Sequence, residues 1–218
     1  MRIVAGRADT LPVGVLFDMA RYRYEVFVDR LGWPLATQGR LELDQFDRRD
    51  TLYVVGRDGR GRVIGTARLL PTHRPYLLAE VFPQLLGDAP MPCSPRTWEL
   101  SRFACLDLCD AARAQTGRNG AGQAVAFLQA VMRVAADAGA RELVSVSPLA
   151  MERILRRGCI AYRRAGAPMR VGADTLFACT FPLDACTRTH TQAPSSTTTR
   201  PGLLRDRSFR PRSTAAVQ

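Results

Sequence analysis

Charged side chains stand inside the apolar runs of this chain's first hundred residues. Arg23 shares a helix-like face with Phe27, and Trp33 follows at its exit. Glu42, Asp44 and Asp47 crowd around Phe46. Arg68 lies in the strand-like run from Gly65 to Pro71, and Glu99 and Arg102 both fall between Thr97 and Cys105. A charge in a strand or against an aromatic ring is costly to bury unless an opposite charge meets it. A fold for this sequence therefore has to bring these acids and arginines together. Paired acids and arginines around aromatic rings suit a zwitterionic or cationic ligand.

Local patterns supply the elements. Leu16, Met19, Ala20, Arg23, Phe27 and Leu31 share a broad helical face, and Gly32-Trp33-Pro34 ends that helix. Residues 35 to 50 are acid-rich and aperiodic, a long loop of the kind that often forms a lid or binding loop. Leu52 to Arg57 and Arg62 to Leu70 read as strands joined by the turn Asp58-Gly59-Arg60-Gly61. A proline-rich stretch with a short helix at Ala79 to Leu85 leads to a strand from Thr97 to Cys105. A strong helix runs from Gly120 to Ala138 and stops at Gly139. Glu142 to Val146 reads as a buried strand, Leu149 to Arg157 as a helix, and Ile160 to Arg164 and Thr175 to Pro182 as the last strands. The order β-α-β-β-β-α-β-α-β-β predicts an α/β fold: a mixed sheet with helices on its faces.

The chain has 218 residues, enough for one sizeable domain. Beyond Pro182 the composition turns to Thr and Ser, then to arginine. Such a segment buries too little apolar surface to offset ordering entropy, so a folded domain over 1–184 and a disordered tail over 185–218 are expected. Net charge is +11, and every basic residue is arginine. The absence of lysine excludes a P-loop lysine, a Schiff-base lysine and a lysine general base. The positive balance attracts acidic partners: nucleic acid, an anionic membrane or an acidic carrier protein. No nucleic-acid reader motif accompanies it, so nucleic acid is not expected as a partner. No apolar run is long enough to span a membrane, and Met1 to Arg7 is too soon interrupted for a secretory signal, so a cytoplasmic protein is expected. Cys93, Cys105, Cys109, Cys159, Cys179 and Cys186 form no C-x-x-C pair, and His73 and His190 are the only histidines. Small buried hydrophobes are expected of these cysteines, and no metal site.

The charged and aromatic residues fall into four motifs in order: R-x3-F-x5-W (Arg23, Phe27, Trp33), E-x-D-x-F-D (Glu42 to Asp47), G-x-x-R-L-L-P (Gly65 to Pro71) and W-E-L-S-R-F (Trp98 to Phe103). Together they resemble the acyl-homoserine-lactone synthases, the autoinducer synthases of bacterial quorum sensing, from about Arg21 to Pro182. The resemblance implies an acetyltransferase-like three-layer αβα sandwich, with a mostly antiparallel mixed sheet and a cleft where two central strands splay. It implies transfer of an acyl chain from acyl-carrier protein to the amine of S-adenosylmethionine, then lactonisation with loss of methylthioadenosine. No cofactor is implied, since S-adenosylmethionine is a substrate.

By resemblance Glu99 is the leading general base, with Asp44 and Arg102 beside it in the chemistry. Arg23, Phe27, Trp33, Asp47, Arg68, Phe103 and Ser147 are the expected substrate-binding residues. Phe27 and Trp33 could hold the adenine and face the sulfonium. Arg68 also fits a purely structural ion pair, as does the whole acid–arginine set if it only fixes the loop. Ser145 and Ser147 alternate on their strand and so share a side; in the family a threonine around Ser147 goes with 3-oxo-acyl substrates. Arg153, Arg156 and Arg157 lie on one helix face, which the resemblance makes a docking surface for acyl-carrier protein. Gly117 to Gly122 is an imperfect version of the coenzyme A pyrophosphate loop. The rival reading is a coenzyme-A-dependent N-acetyltransferase of similar fold.

Overall fold

The computed structural model describes residues 1–109 and 118–183, with the side chains of Arg118 and Asn119 left aside. The Gly117 end of the glycine-rich loop, Asp184 and the 185–218 tail with its Cys186 lie outside the described residues.

Ten strands are present among these residues: β1 (Arg2–Arg7), β2 (Thr37–Gln38), β3 (Leu41–Glu42), β4 (Leu52–Arg57), β5 (Val63–Pro71), β6 (Thr97–Cys105), β7 (Glu142–Pro148), β8 (Arg163–Arg164), β9 (Met169–Val171) and β10 (Asp174–Pro182). Helices are α1 (Val13–Arg23), α2 (Leu77–Val81), α3 (Arg118–Asp137) and α4 (Ala150–Arg157). Eight strands form one sheet in the order β1-β4-β5-β6-β7-β10-β8, with β9 also on β10. Every pairing in it is antiparallel except β6 with β7. The mixed, mostly antiparallel sheet between helical layers is the expected α/β sandwich.

Several boundaries differ from the sequence pattern, among them the short helix expected at Ala79 to Leu85, which is α2 at Leu77–Val81 followed by a 3-10 turn at Pro83–Leu86. The 35–50 loop contains a small hairpin, β2 with β3. Ile160–Arg164 is a strand only at Arg163–Arg164, because Cys159 adopts a left-handed φ of 49° and turns the chain before the sheet edge. β9 was not signalled, being three residues long with an exposed face. The first helix changes character after Arg23: Tyr24–Arg30 is π-helical, a wider winding that is rare and concentrates at functional sites.

Alternation along the strands separates two interiors. Val54, Ala67, Leu69, Trp98, Leu100, Leu143, Phe177 and Cys179 point one way and pack with Phe127, Leu128, Val131 and Leu155 from α3 and α4. Residues of the opposite parity face α1, α2 and the 42–51 loop. Phe127 lies across the facing glycines Gly56 and Gly65; a Cβ at Gly65 would come within 3.0 Å of its ring. The cysteines do not all behave as buried hydrophobes: Cys179 is buried and Cys105 half-buried, but Cys93, Cys109 and Cys159 are exposed, since they sit in loops and at a turn.

Candidate active site

β6 and β7 pair only from Thr97–Glu142 to Glu99–Val144, although β6 continues to Cys105 and β7 to Pro148. Beyond Glu99 and Val144 the two strands part, and the sheet opens between them. β6 breaks its own alternation at this split. Thr66 pairs with Ala104 and Arg68 with Ser101, so β6 holds one residue more than β5 over that interval. The extra residue is accommodated at Arg102, whose φ of 50° is left-handed. Such a conformation costs a non-glycine residue about 1–3 kcal/mol and persists only where its surroundings enforce it. The result is that Glu99, Ser101 and Arg102 all serve the α1/α2 side, while Phe103 returns to the α3 side and stacks on Phe127 at 5.6 Å between centroids. Glu99 and Arg102, three apart on a strand, are reconciled to one side by this bulge.

On that side an ion cluster is closed. Arg23 donates from Nε to Glu42 at 2.5 Å and from both terminal nitrogens to Asp47 at 2.7 and 3.0 Å. Arg68 donates from Nε to Ser101 at 3.1 Å and from Nη1 to Asp44 at 2.5 Å, with Asp47 3.2 Å away. Arg102 bonds Glu42 at 3.0 Å and Asp44 at 2.8 Å. Tyr53 donates its hydroxyl to Asp47, and the Phe46 ring covers the Arg68 guanidinium. Three arginines thus meet three carboxylates, and the formal charges cancel. Burial alone would push the Asp47 carboxyl up, but the Arg23 and Arg68 charges hold it well below the usual carboxylate range.

The sequence places Arg23, Arg68 and Asp47 at the ligand; the structure encloses them, with side chains 0%, 0% and 4% exposed. They hold the 42–47 loop against the sheet. Asp44 is the cluster's most open member at 12%. Glu42, part of the motif but not singled out, is the bridge between Arg23 and Arg102; its signal was its place at the head of E-x-D-x-F-D. Tyr53 also enters unannounced, and Ser101 of W-E-L-S-R-F enters as a charge partner, a role that neither residue type marks in a strand.

Glu99 is fully buried beside this cluster. Its two oxygens accept from the backbone N–H groups of Leu77 at 3.0 Å and Leu78 at 2.7 Å, so it anchors the start of α2. Burial pushes its carboxyl above the ordinary value, against the opposing pull of those two donors. Phe27 is buried and stacks on the half-buried Trp33, with centroids 5.0 Å apart and planes 13° from parallel. The Arg102 guanidinium lies 5.8 Å from the Phe27 ring, which joins this aromatic pair to the ion cluster.

Across the split, Ser145 and Ser147 are buried on the α3/α4 side, 3.0 Å apart through their hydroxyls. Phe103 and Phe127 occupy the same side. The sheet at the split therefore carries two different faces: ionic and aromatic on one side, apolar with two hydroxyls on the other. Arg153, Arg156 and Arg157 are exposed on α4, which begins just after β7 ends.

This arrangement has relatives. The family model for Autoinducer synthase matches residues 13–190. An acyl-homoserine-lactone synthase of Acinetobacter nosocomialis is 44% identical over 179 residues, covering 82% of this chain and 98% of that one. A crystal structure of TofI, in a ternary complex with an inhibitor and MTA, superposes with a TM-score of 0.74 at 42% identity, over 86% of this chain and 94% of that one. BjaI, a CoA-dependent acyl-homoserine lactone synthase seen with SAM and isopentyl-CoA, superposes with a TM-score of 0.72 at 28% identity, over 83% and 82%. Sequence and fold agree: the chain belongs to the autoinducer synthase family and is an acyltransferase of the acyl-homoserine-lactone synthase type.

Proposed function

We propose that this enzyme joins an acyl group delivered on acyl-carrier protein to the α-amine of S-adenosylmethionine. The amine attacks the thioester carbonyl, and the carrier thiol leaves. The methionine carboxylate then attacks its own γ-carbon, the carbon–sulfur bond breaks, and methylthioadenosine departs from the lactone. No redox or metal chemistry enters this sequence.

The observation that carries the proposal is the split between β6 and β7 with the Arg102 bulge at its edge. It lets an amine held on the ionic face meet a thioester carbonyl whose chain lies on the apolar face. Glu99 is the proposed base, taking the α-ammonium proton directly or through water. A carboxyl raised by burial is better matched to that proton than an ordinary one. Asp44 orients the ammonium, and Arg102, bonded to Asp44 and over Phe27, faces the ligand carboxylate. Trp33, backed by Phe27, is the proposed adenine surface. Arg23, Asp47 and Arg68 complete the ligand side of the site by holding these groups and the 42–47 loop in place. Phe103 and Ser147 line the path of the acyl chain. Arg153, Arg156 and Arg157 receive the acidic carrier. The catalytic domain is 1–184.

A second reading of the donor has support in BjaI, which is CoA-dependent. The test is to give the purified protein S-adenosylmethionine with either medium-chain acyl-carrier protein or the matching acyl-coenzyme A. Methylthioadenosine and an acyl-homoserine lactone should form, faster with the carrier, as read by mass spectrometry. Preference for the coenzyme A thioester would replace the donor. Acetylation of a small amine with no lactone would replace the function by that of an N-acetyltransferase. The cytoplasm is the proposed location; among the described residues no helix is long and apolar enough to cross a membrane.

A further inference from the structure

Glu152 is the single acid on α4, set among three arginines. An exposed acid there would oppose an acidic partner. It is instead 8% exposed and turned inward with Leu155, one turn further on. Its two oxygens accept a fork from Arg164, Nε at 2.7 Å and Nη2 at 3.0 Å, and Arg156 lies 3.5 Å from the same carboxylate. Arg164 comes from β8, at the edge of the sheet, and its guanidinium sits 5.7 Å from the Phe177 ring centroid. Phe177 is the register partner of Ser147, on the stretch of β7 that has left β6. One arginine therefore ties the arginine-bearing helix to the wall of the split. Paired planar forks fix orientation as well as distance, which a single ammonium contact does not.

We propose that the Glu152–Arg164 clasp is a positioning element for the carrier-borne acyl group: it fixes the roll of α4 so that Arg153 and Arg157 face the carrier together, and keeps that face in register with the cleft. The inference rests on the carrier-protein reading above. It assigns to Glu152 and Arg164 no contact with substrate; they act through α4 and Phe177.

The test is steady-state kinetics with two donors of the same chain, acyl-carrier protein and the acyl-pantetheine thioester without the protein. Glu152→Gln and Arg164→Gln should raise KM for acyl-carrier protein about tenfold while kcat stays within about twofold, the signature of lost binding rather than lost chemistry. The KM for S-adenosylmethionine and the rate with acyl-pantetheine should not move. The exchanged pair Glu152→Arg with Arg164→Glu should recover most of the carrier KM, and it carries the test if either single variant fails to fold. An unchanged carrier KM in folded variants, an equal loss with both donors, or no recovery in the exchanged pair would overturn the clasp. Arg153→Ala with Arg157→Ala separates the layers. If that pair raises the carrier KM and the clasp variants do not, only the clasp falls. If it changes nothing, the docking surface itself is misplaced and the clasp falls with it.

Discussion

On β5, Ala67 and Leu69 belong to the apolar cluster of Phe127, Leu128 and Val131, while their neighbour Arg68 meets Asp44, Asp47 and Ser101 on the other side of the sheet. Both interiors are largely closed to solvent, but they depend on their members differently. The apolar face is held by many small contacts, and losing a side chain leaves a cavity. The ionic face is held by matched charges, and losing an arginine leaves buried carboxylates without a partner. The first kind of interior tolerates drift in shape, and the second fixes a loop in one place. A transfer enzyme needs both: a compliant channel for a hydrocarbon and a fixed frame for a charged ligand.

The comparison is tested most severely by cutting each face once. Arg23→Ala and Phe127→Ala should each destabilise the protein by about 3–5 kcal/mol, by different mechanisms, in urea titrations at pH 7. A loss well under 1 kcal/mol for Arg23→Ala would show that the cluster is neutral in stability and that the loop is held by other contacts.

Next in size is a change in chemistry without a change in shape. Glu99→Gln should lower turnover on the order of 100-fold while S-adenosylmethionine still binds. Its amide oxygen can still accept one of the two N–H groups at α2, whereas its nitrogen cannot, so a modest loss of stability accompanies it. Near-normal turnover across pH 7 to 9 would move the base to Asp44 or a bound water.

Acid should then distinguish the two faces. Asp47 sits below its ordinary value when folded, so its contribution is present above the unfolded carboxylate value of about 3.9 and is lost as pH falls from there through the folded value. The stability gap between wild type and Arg23→Ala should narrow below about pH 4 for that reason, while the gap for Phe127→Ala stays flat. Parallel narrowing of both gaps would mean that the faces do not behave as separate interiors. Smallest is the effect of removing residues 185–218: lactone synthesis and the thermal midpoint should be unchanged. Loss of soluble, active protein would extend the catalytic domain into that segment.

Local signals carried the elements well. The α1 periodicity, the β4–β5 turn and the strand Thr97–Cys105 were legible because each depends on neighbours in sequence. So were the identities of the charged residues, since charges in apolar runs must find partners. Which partner each one found was not legible. Arg23 reaches Asp47 24 residues away, and Arg102 reaches Glu42 60 residues away. Those choices follow from how the 42–47 loop lies over the sheet, a matter of packing rather than pattern. Strand alternation sets Glu99 and Arg102 on opposite faces, and nothing in W-E-L-S-R-F marks the residue that departs from it. The left-handed turn at Arg102 is unfavourable by itself. It exists because Glu42 and Asp44 wait on one side and Phe127 on the other, so that only the assembled sheet makes it the lower-energy state. The sequence by itself determined the elements, the family and the set of charges that had to meet; the tertiary structure decided the pairings, the bulge and the gap in the sheet, because each of these is stable only when distant segments are already in place.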